Sequence, residues 1–431
     1  MNLPELPELA KRAKPQPDGP ASFSKALFAL ILGQIFLHSC MAGVRVAAPL
    51  LVLRTDHPQW AVGILLGLFA AAPVLTSLRA GRLADQHGYH VPMRIAVGLT
   101  TAGGVLAVLS TWLDGALANW QFPALGLAAT FCGVGANFGL IAIQRTAGRM
   151  TSGSGAELTR VFSWLGLAPA LSNMIGPVVA GVMIDLSGFR GAFIALMLLP
   201  LLSLWWARQV PVEKLERKVM ASGAGAAWVL FKTPGLRRLL FVNWLLSSSW
   251  DLHAFVVPIL GHERGFSASA IGFILGAFAA AVTSVRFAIP LLVHRAPNLS
   301  AGQVLARAMW VTAAVFALYP LVHSAWLMGL CAVCLGLSLG SVQPMIMTAL
   351  HQLIPKDSHG QAIALRSMTI NTSSALMPLM FGLLGGVVGA ATLFWVMAAG
   401  VAAGGWPALR IRSSQGSPEA PRIDSSSEPN A

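Results

Sequence analysis

The chain has 431 residues, of which 55% are hydrophobic and 10% charged, against about 25% charged in a soluble domain. With a mean hydropathy of +0.69, a soluble globular protein is excluded and an integral membrane protein is expected. The formal net charge of +13 does not indicate nucleic acid, because no basic stripe with interleaved aromatics lies outside the apolar stretches.

Residues 1–22 are polar and Pro-rich and lack the apolar core of a cleaved signal. They are expected to form a disordered cytoplasmic N-terminus, with the first helix acting as an uncleaved signal anchor. Twelve apolar stretches follow, near residues 24–52, 60–80, 92–113, 122–144, 158–184, 190–207, 237–260, 268–293, 301–322, 325–350, 361–387 and 389–409. Each is long enough to cross about 30 Å of hydrocarbon as a helix. Six fall in each half, which predicts an all-α membrane fold of two six-helix bundles, 23–207 and 237–410. A cytoplasmic linker over 208–236 joins them, and a disordered cytoplasmic tail follows over 411–431. With a cytoplasmic N-terminus, 23 of the 29 Lys and Arg fall on cytoplasmic segments, three (Arg54, Arg190, Arg264) on the opposite side and three (Arg45, Arg286, Arg366) within helices. This fits the positive-inside rule, and the surplus cations are expected to contact anionic lipid headgroups.

The halves are related in sequence. Gly63 to Ala72 reads Gly-Ile-Leu-Leu-Gly-Leu-Phe-Ala-Ala-Ala and returns 209 residues later, Gly272 to Ala281, as Gly-Phe-Ile-Leu-Gly-Ala-Phe-Ala-Ala-Ala, with seven of ten positions identical. At the same offset Pro49 falls on Pro258 and Leu83 on Leu292. A duplicated membrane chain is the sequence mark of an alternating-access transporter. Shared positions are expected to build the scaffold, and unshared ones the gate, the coupling and the substrate site.

Between the second and third stretches the chain reads Gly81-Arg-Leu-Ala-Asp85-Gln-His-Gly88-Tyr-His90. Asp85 is an anion on a surface dominated by cations and needs an Arg or a helix N-terminus as partner. This segment resembles the signature loop of the major facilitator superfamily, Gly-x-Leu-Ala-Asp-Arg-x-Gly-Arg-Arg, through Gly81, Leu83, Ala84, Asp85 and Gly88. Gln86, Tyr89 and His90 replace the usual basic residues, and the second copy has Pro290 and His294 where the first has Gly81 and Asp85. The resemblance implies twelve helices, a rocking two-bundle mechanism, and an Asp85 that engages the cytoplasmic start of helix 11 near Arg366. Ser163, Ser172, Gly176, Pro177, Ala180 and Gly181 resemble the glycine-rich antiporter motif of helix 5, and Gly43 and Pro49 fit part of another drug-efflux motif. The helix 4 motif of proton-driven exporters is absent, with Ala129 and Cys132 where its Arg and Gln would stand.

An ionisable group in mid-membrane costs at least about 2.5–3.5 kcal/mol, so it should face a cavity or a partner. Helices 3, 6, 9 and 12 hold no charge in their interiors, whereas helices 1, 7, 8 and 11 hold Arg45, Asp251, Arg286 and Arg366, with His38 and His253. His38 and Arg45 share a helix face and could together bind an anion. Asn243, Ser247 and Asp251 form one polar stripe, and Asp251 is the first candidate for proton coupling, against a static ion pair with Arg45 or Arg286. Arg286 is a candidate substrate anchor. Arg160 and Arg366, repeat counterparts at the starts of helices 5 and 11, read as gate or intrabundle residues. Asn137, Gln343 and Asn371 could bond a substrate or a neighbouring helix. His253 reads as helix packing, and so do Cys331 and Cys334, whose Cys-x-x-Cys lies in an apolar helix with no second ligand pair.

The expected function is a proton-coupled secondary transporter, most simply an exporter of a small anionic or zwitterionic organic molecule by proton antiport. Proton-coupled uptake of an organic acid is the alternative, because the candidate cavity holds more cation than anion. A ligand sensor that does not transport is the alternative from another class. No enzyme motif and no nucleotide-binding loop is present, and neither metal nor cofactor is expected. The expected partners are a small-molecule substrate, protons and lipid, for a monomer in a bacterial inner membrane.

Overall fold

In hydrocarbon no water reaches backbone N–H and C=O groups, so a chain this apolar must satisfy them within helices. All regular structure among the described residues is helical, as expected. The computed structural model describes residues 20–150, 155–212, 235–293, 300–353 and 359–411. Most of each expected tail, most of the expected linker, and His294 lie outside the described residues.

The first half contains α1 (Pro20–Arg54), α2 (Gln59–His87), α3 (His90–Ser110), α4 (Gln121–Met150) and α5 (Gly155–Ala207). The second half contains α6 (Leu236–Glu263), α7 (Ala268–Val293), α8 (Ala301–Leu318), α9 (Ala325–Gly340), α10 (Val342–Leu353), α11 (His359–Val388) and α12 (Ala390–Leu409). α1 thus begins at Pro20, inside the segment expected to be disordered. α9 and α10 together occupy one expected span, interrupted at Ser341.

Ten stretches among the described residues are long and apolar enough to cross a membrane, against the twelve expected, and two features account for the difference. One stretch, Trp164–Ala207, contains Gly188 at φ 71° and ψ −179°, a break that only glycine adopts without strain. The chain doubles back there, because Gly176 before the break and Leu196 after it both pack on Gly43 of α1. Likewise Ser172 and Ser203, on opposite sides of the break, donate to α1 carbonyls, those of Ile35 at 3.1 Å and Gly33 at 2.9 Å. The other feature is α6, whose 28 residues include Asn243, Asp251 and His253; these lower its hydropathy and keep it out of the ten.

The repeated decapeptide has a structural meaning. On α2, a Cβ at Gly63 would lie 2.5 Å from the carbonyl oxygen of Pro378 on α11; on α7, a Cβ at Gly272 would meet the carbonyl of Pro177 on α5. One turn on, Gly67 lies against Leu379 and Gly276 against Val178. Within each half, Gly133 of α4 packs on the carbonyl of Phe69 and Gly336 of α9 on that of Phe278. Each copy therefore presents glycines to the opposite half and a phenylalanine backbone to its own. Membrane helices associate through such close van der Waals approach, with no hydrophobic force between them. Gly63 and Gly272, two of the shared positions expected to build the scaffold, lie at contacts between the two halves.

Both seams lie toward the face that carries Arg54, Arg190 and Arg264, here termed the cation-poor face. The opposite, cation-rich face carries Arg82, Arg94, Arg208, Arg237, Arg238 and Arg410. A side chain at a seam glycine must push backbone, which costs about 1–3 kcal/mol. Gly272→Ala should therefore lower the thermal stability of the detergent-solubilised protein by that order. Gly400→Ala in α12, where nothing lies within 4 Å of the added carbon, should leave it equal or slightly raised.

Candidate functional site

Three helices bring polar groups together between the halves: α1 from the first, α6 and α11 from the second. Arg45 of α1 places Nη2 3.8 Å from Oδ1 of Asp251 on α6. The Asp251 side chain is 4% exposed and that of Arg45 25%, so the carboxylate is sealed in while the arginine side chain is partly exposed, its Nε buried without a hydrogen-bond partner. At 3.8 Å the pair attracts by charge without a hydrogen bond. The hydrogen bonds come from α11, where Ser374 Oγ donates to both Asp251 oxygens at 3.3 Å and Ser373 Oγ approaches Oδ2 at 3.5 Å. Ser373 is itself held at 3.0 Å by Ser248 of α6. Both serines escape a charge-based reading; the signal that could find them is the Ser373-Ser374 pair in an apolar stretch.

His38, two turns before Arg45, is within electrostatic range of it and has a buried Nδ1 with no hydrogen-bond partner. Asn243, two turns before Asp251, is 3% exposed and its Nδ2 is also unpartnered.

A second cluster lies in the other half. Arg286 of α7 donates from Nη2 to Oε1 of Gln343 on α10 at 3.1 Å, and lies within electrostatic range of Arg366 on α11. Neither arginine has a carboxylate in salt-bridge distance among the described residues. Both Nε atoms are buried without a hydrogen-bond partner, and Arg366 is only 8% exposed. Two guanidinium groups within electrostatic range of one another, each with a buried unpartnered Nε, make a place where an anion is favoured. Asn371, a little more than one turn beyond Arg366 on the same helix, is exposed.

Other expected site residues are placed elsewhere. The Asn137 amide donates to Ser77 Oγ at 3.1 Å and to the Pro73 carbonyl at 3.5 Å, which ties α4 to α2. His253 pairs with the Tyr319 hydroxyl at 3.0 Å and packs on Phe278, within the second half. Gly176 lies against Ser39 and Gly43 of α1, and the carbonyl of the adjacent Pro177 receives Gly272. Gly88 ends α2 at φ 70°, and nothing lies within 4 Å of a Cβ at Gly81. The backbones of Asp85 and Arg160 are helical, and their side chains lie outside the described residues.

Comparison with known proteins agrees with this architecture. The sequence profile of the Major Facilitator Superfamily matches residues 30–360 and 239–428. An uncharacterized MFS-type transporter, YddS, of Bacillus subtilis (strain 168) is 27% identical over 197 residues. That match spans 44% of this chain and 43% of the relative, so less than half of the relative's length is covered. Among solved structures, a POT family transporter in complex with a thioalcohol-conjugated peptide superposes with a TM-score of 0.69 at 14% identity, covering 88% of this chain and 94% of that one. A bacterial homologue of the iron transporter ferroportin in its inward-facing state gives 0.70 at 16%, with 91% and 99% covered. An inward-facing, unoccupied bacterial homologue of the human lysosomal transporter Spinster gives 0.68 at 13%, with 91% and 98% covered. At these identities the likeness establishes the fold alone, and with the profile match over most of the sequence it shows that the chain belongs to the Major Facilitator Superfamily of secondary transporters.

Proposed function

We propose that this protein couples the movement of an organic anion to the movement of a proton, with both bound at once. The observation that carries this reading is the Arg45–Asp251 pair, which joins one half to the other across the centre. While Asp251 is ionised, it holds Arg45 and the two halves together at this point. A proton on the carboxylate removes the attraction and leaves Arg45, whose Nε is buried without a partner, to take a carboxylate or phosphate from the substrate. Arg286 and Arg366 supply further positive charge on the second half, so the site as a whole suits an anion or a zwitterion. On this reading the cation-rich face is cytoplasmic and the structure is closed toward the outside.

Binding proton and anion together means symport, and the geometry thus supports the uptake alternative over export. Antiport is favoured by one specific case. A substrate with an ammonium group would compete with the proton for Asp251, and the Gly176-Pro177 segment of α5 resembles the antiporter motif.

Flux in proteoliposomes separates the two. Symport predicts accumulation of a radiolabelled organic acid when the outside is acidic, and antiport predicts it when the lumen is acidic. Movement of no member of a panel of organic anions, zwitterions and cations in either gradient would reject transport.

Asp251→Asn should abolish accumulation driven by the pH gradient while preserving counterflow exchange of the same substrate, because the neutral amide imitates the protonated state. Unchanged accumulation would remove Asp251 from the coupling role. The unequal burial of the pair predicts unequal stability effects. Arg45→Gln strands a carboxylate that is almost fully enclosed, whereas Asp251→Asn leaves an arginine whose side chain is a quarter exposed. The first should cost more by about 1–3 kcal/mol in thermal unfolding, and the double variant should recover part of the loss.

A further inference from the structure

A second repeat is hidden within the first half. Gly81-Arg-Leu-Ala-Asp85-Gln-His-Gly88-Tyr-His90 is matched 100 residues later by Gly181-Val-Met-Ile-Asp185-Leu-Ser-Gly188-Phe-Arg190: glycine, aspartate, glycine, aromatic and basic residue at the same spacing. The backbone follows the sequence. Gly88 has φ 70° and Gly188 φ 71°, and each turns the chain at the end of a helix. The two segments sit on opposite faces, the first on the cation-rich face and the second on the cation-poor face.

The later copy is engaged across the halves. Asp185 Oδ2 accepts from the backbone N–H of Ser269 at 2.7 Å, and Oδ1 from that of Ala268 at 3.1 Å. These are the first two residues of α7, so a carboxylate of the first half caps the positive end of a helix in the second. Gly181, one turn earlier, lies against the Ala268 carbonyl, with no room for a Cβ, which lets the aspartate reach.

We infer that Asp185 is a latch residue of the transport cycle. Its bond to the α7 N-terminus holds the cation-poor face shut, and Asp85 is its counterpart for the opposite face.

The register supports the pairing. α2 and α11 run antiparallel, and Gly63 meets Gly382 at their seam. Counting 22 residues along α2 from Gly63 reaches Asp85, and counting 22 back along α11 from Gly382 reaches Gly360, in the first turn of that helix. By this count Asp85 falls near the end of α2 at the level of the first turn of α11, as Asp185 of α5 falls at the start of α7. The cap at Ala268 and Ser269 is made when the cation-poor face is closed and lost when the halves part there. Gln59, at the start of α2, adds a bond of the same kind by donating to Glu263 Oε1 at 3.1 Å, again across the halves.

The test uses hydrogen–deuterium exchange of the full chain in lipid nanodiscs, which reads the balance of the two faces without knowledge of the substrate. Asp185→Ala should raise exchange by about fivefold, the scale of a charge at a helix terminus. The rise should cover residues 266–272 and also the separate α2–α11 seam, 59–67 and 378–388. Exchange on the opposite face, residues 81–90 and 359–366, should fall. Asp85→Ala should move both faces in the reverse sense. A rise confined to 266–272 would mean an ordinary helix cap, and a rise on both faces would mean general loosening; either result overturns the latch.

Discussion

The architecture depends on how closely two backbones can approach in lipid. Apolar helices gain little by leaving hydrocarbon for one another, so contact between the halves must come from shape. The chain provides that shape with glycine Cα atoms set against the carbonyls of Pro177 and Pro378. A proline in mid-helix cannot donate to the preceding turn, and here both prolines accept a glycine from the other half. From these two seams follow the closure of one face, the placement of α1, α6 and α11 around the centre, and the alignment that lets Arg45 face Asp251.

Charge then does what shape cannot. The seams are insensitive to protons and solutes, whereas under the coupling proposed above Arg45 and Asp251 respond to both. Because the carboxylate is enclosed and also held by Ser374, its bonds are internal to the second half, and only the guanidinium crosses between halves. Under that proposal the crossing attraction is the part that a proton removes, while the serines keep the carboxyl group in place.

Much of this was legible in the sequence, and the limits have physical causes. The decapeptide repeat was visible because backbone contact tolerates only glycine, so both copies retained it. Which helix each glycine meets was not visible, because sequence does not show the neighbour a glycine serves. Asp251, Arg45 and Arg286 stood out because a charge is conspicuous in an apolar stretch. Ser373 and Ser374 did not, since a hydroxyl in a helix can be satisfied by its own backbone, as Ser249 is by the Leu245 carbonyl. Asn137 stayed open between a substrate and a neighbouring helix, because an amide bonds whichever acceptor its helix faces, in this case Ser77. Asp185 escaped because its repeat lies within a half and on the opposite face, where only five of ten residue types correspond.

The contrast between seams and centre bears on the symmetry of whatever the protein carries. The seams obey an approximate twofold relation, with Gly63 on Pro378 matched by Gly272 on Pro177. The polar centre has no such relation: the paired arginine is in the first half, while the carboxylate and both clustered arginines are in the second. A molecule seated there meets one hand of the site from each side and cannot be turned end for end without loss. The scaffold is thus indifferent to direction, whereas a cargo bound at the proposed site would be held with a head and a tail.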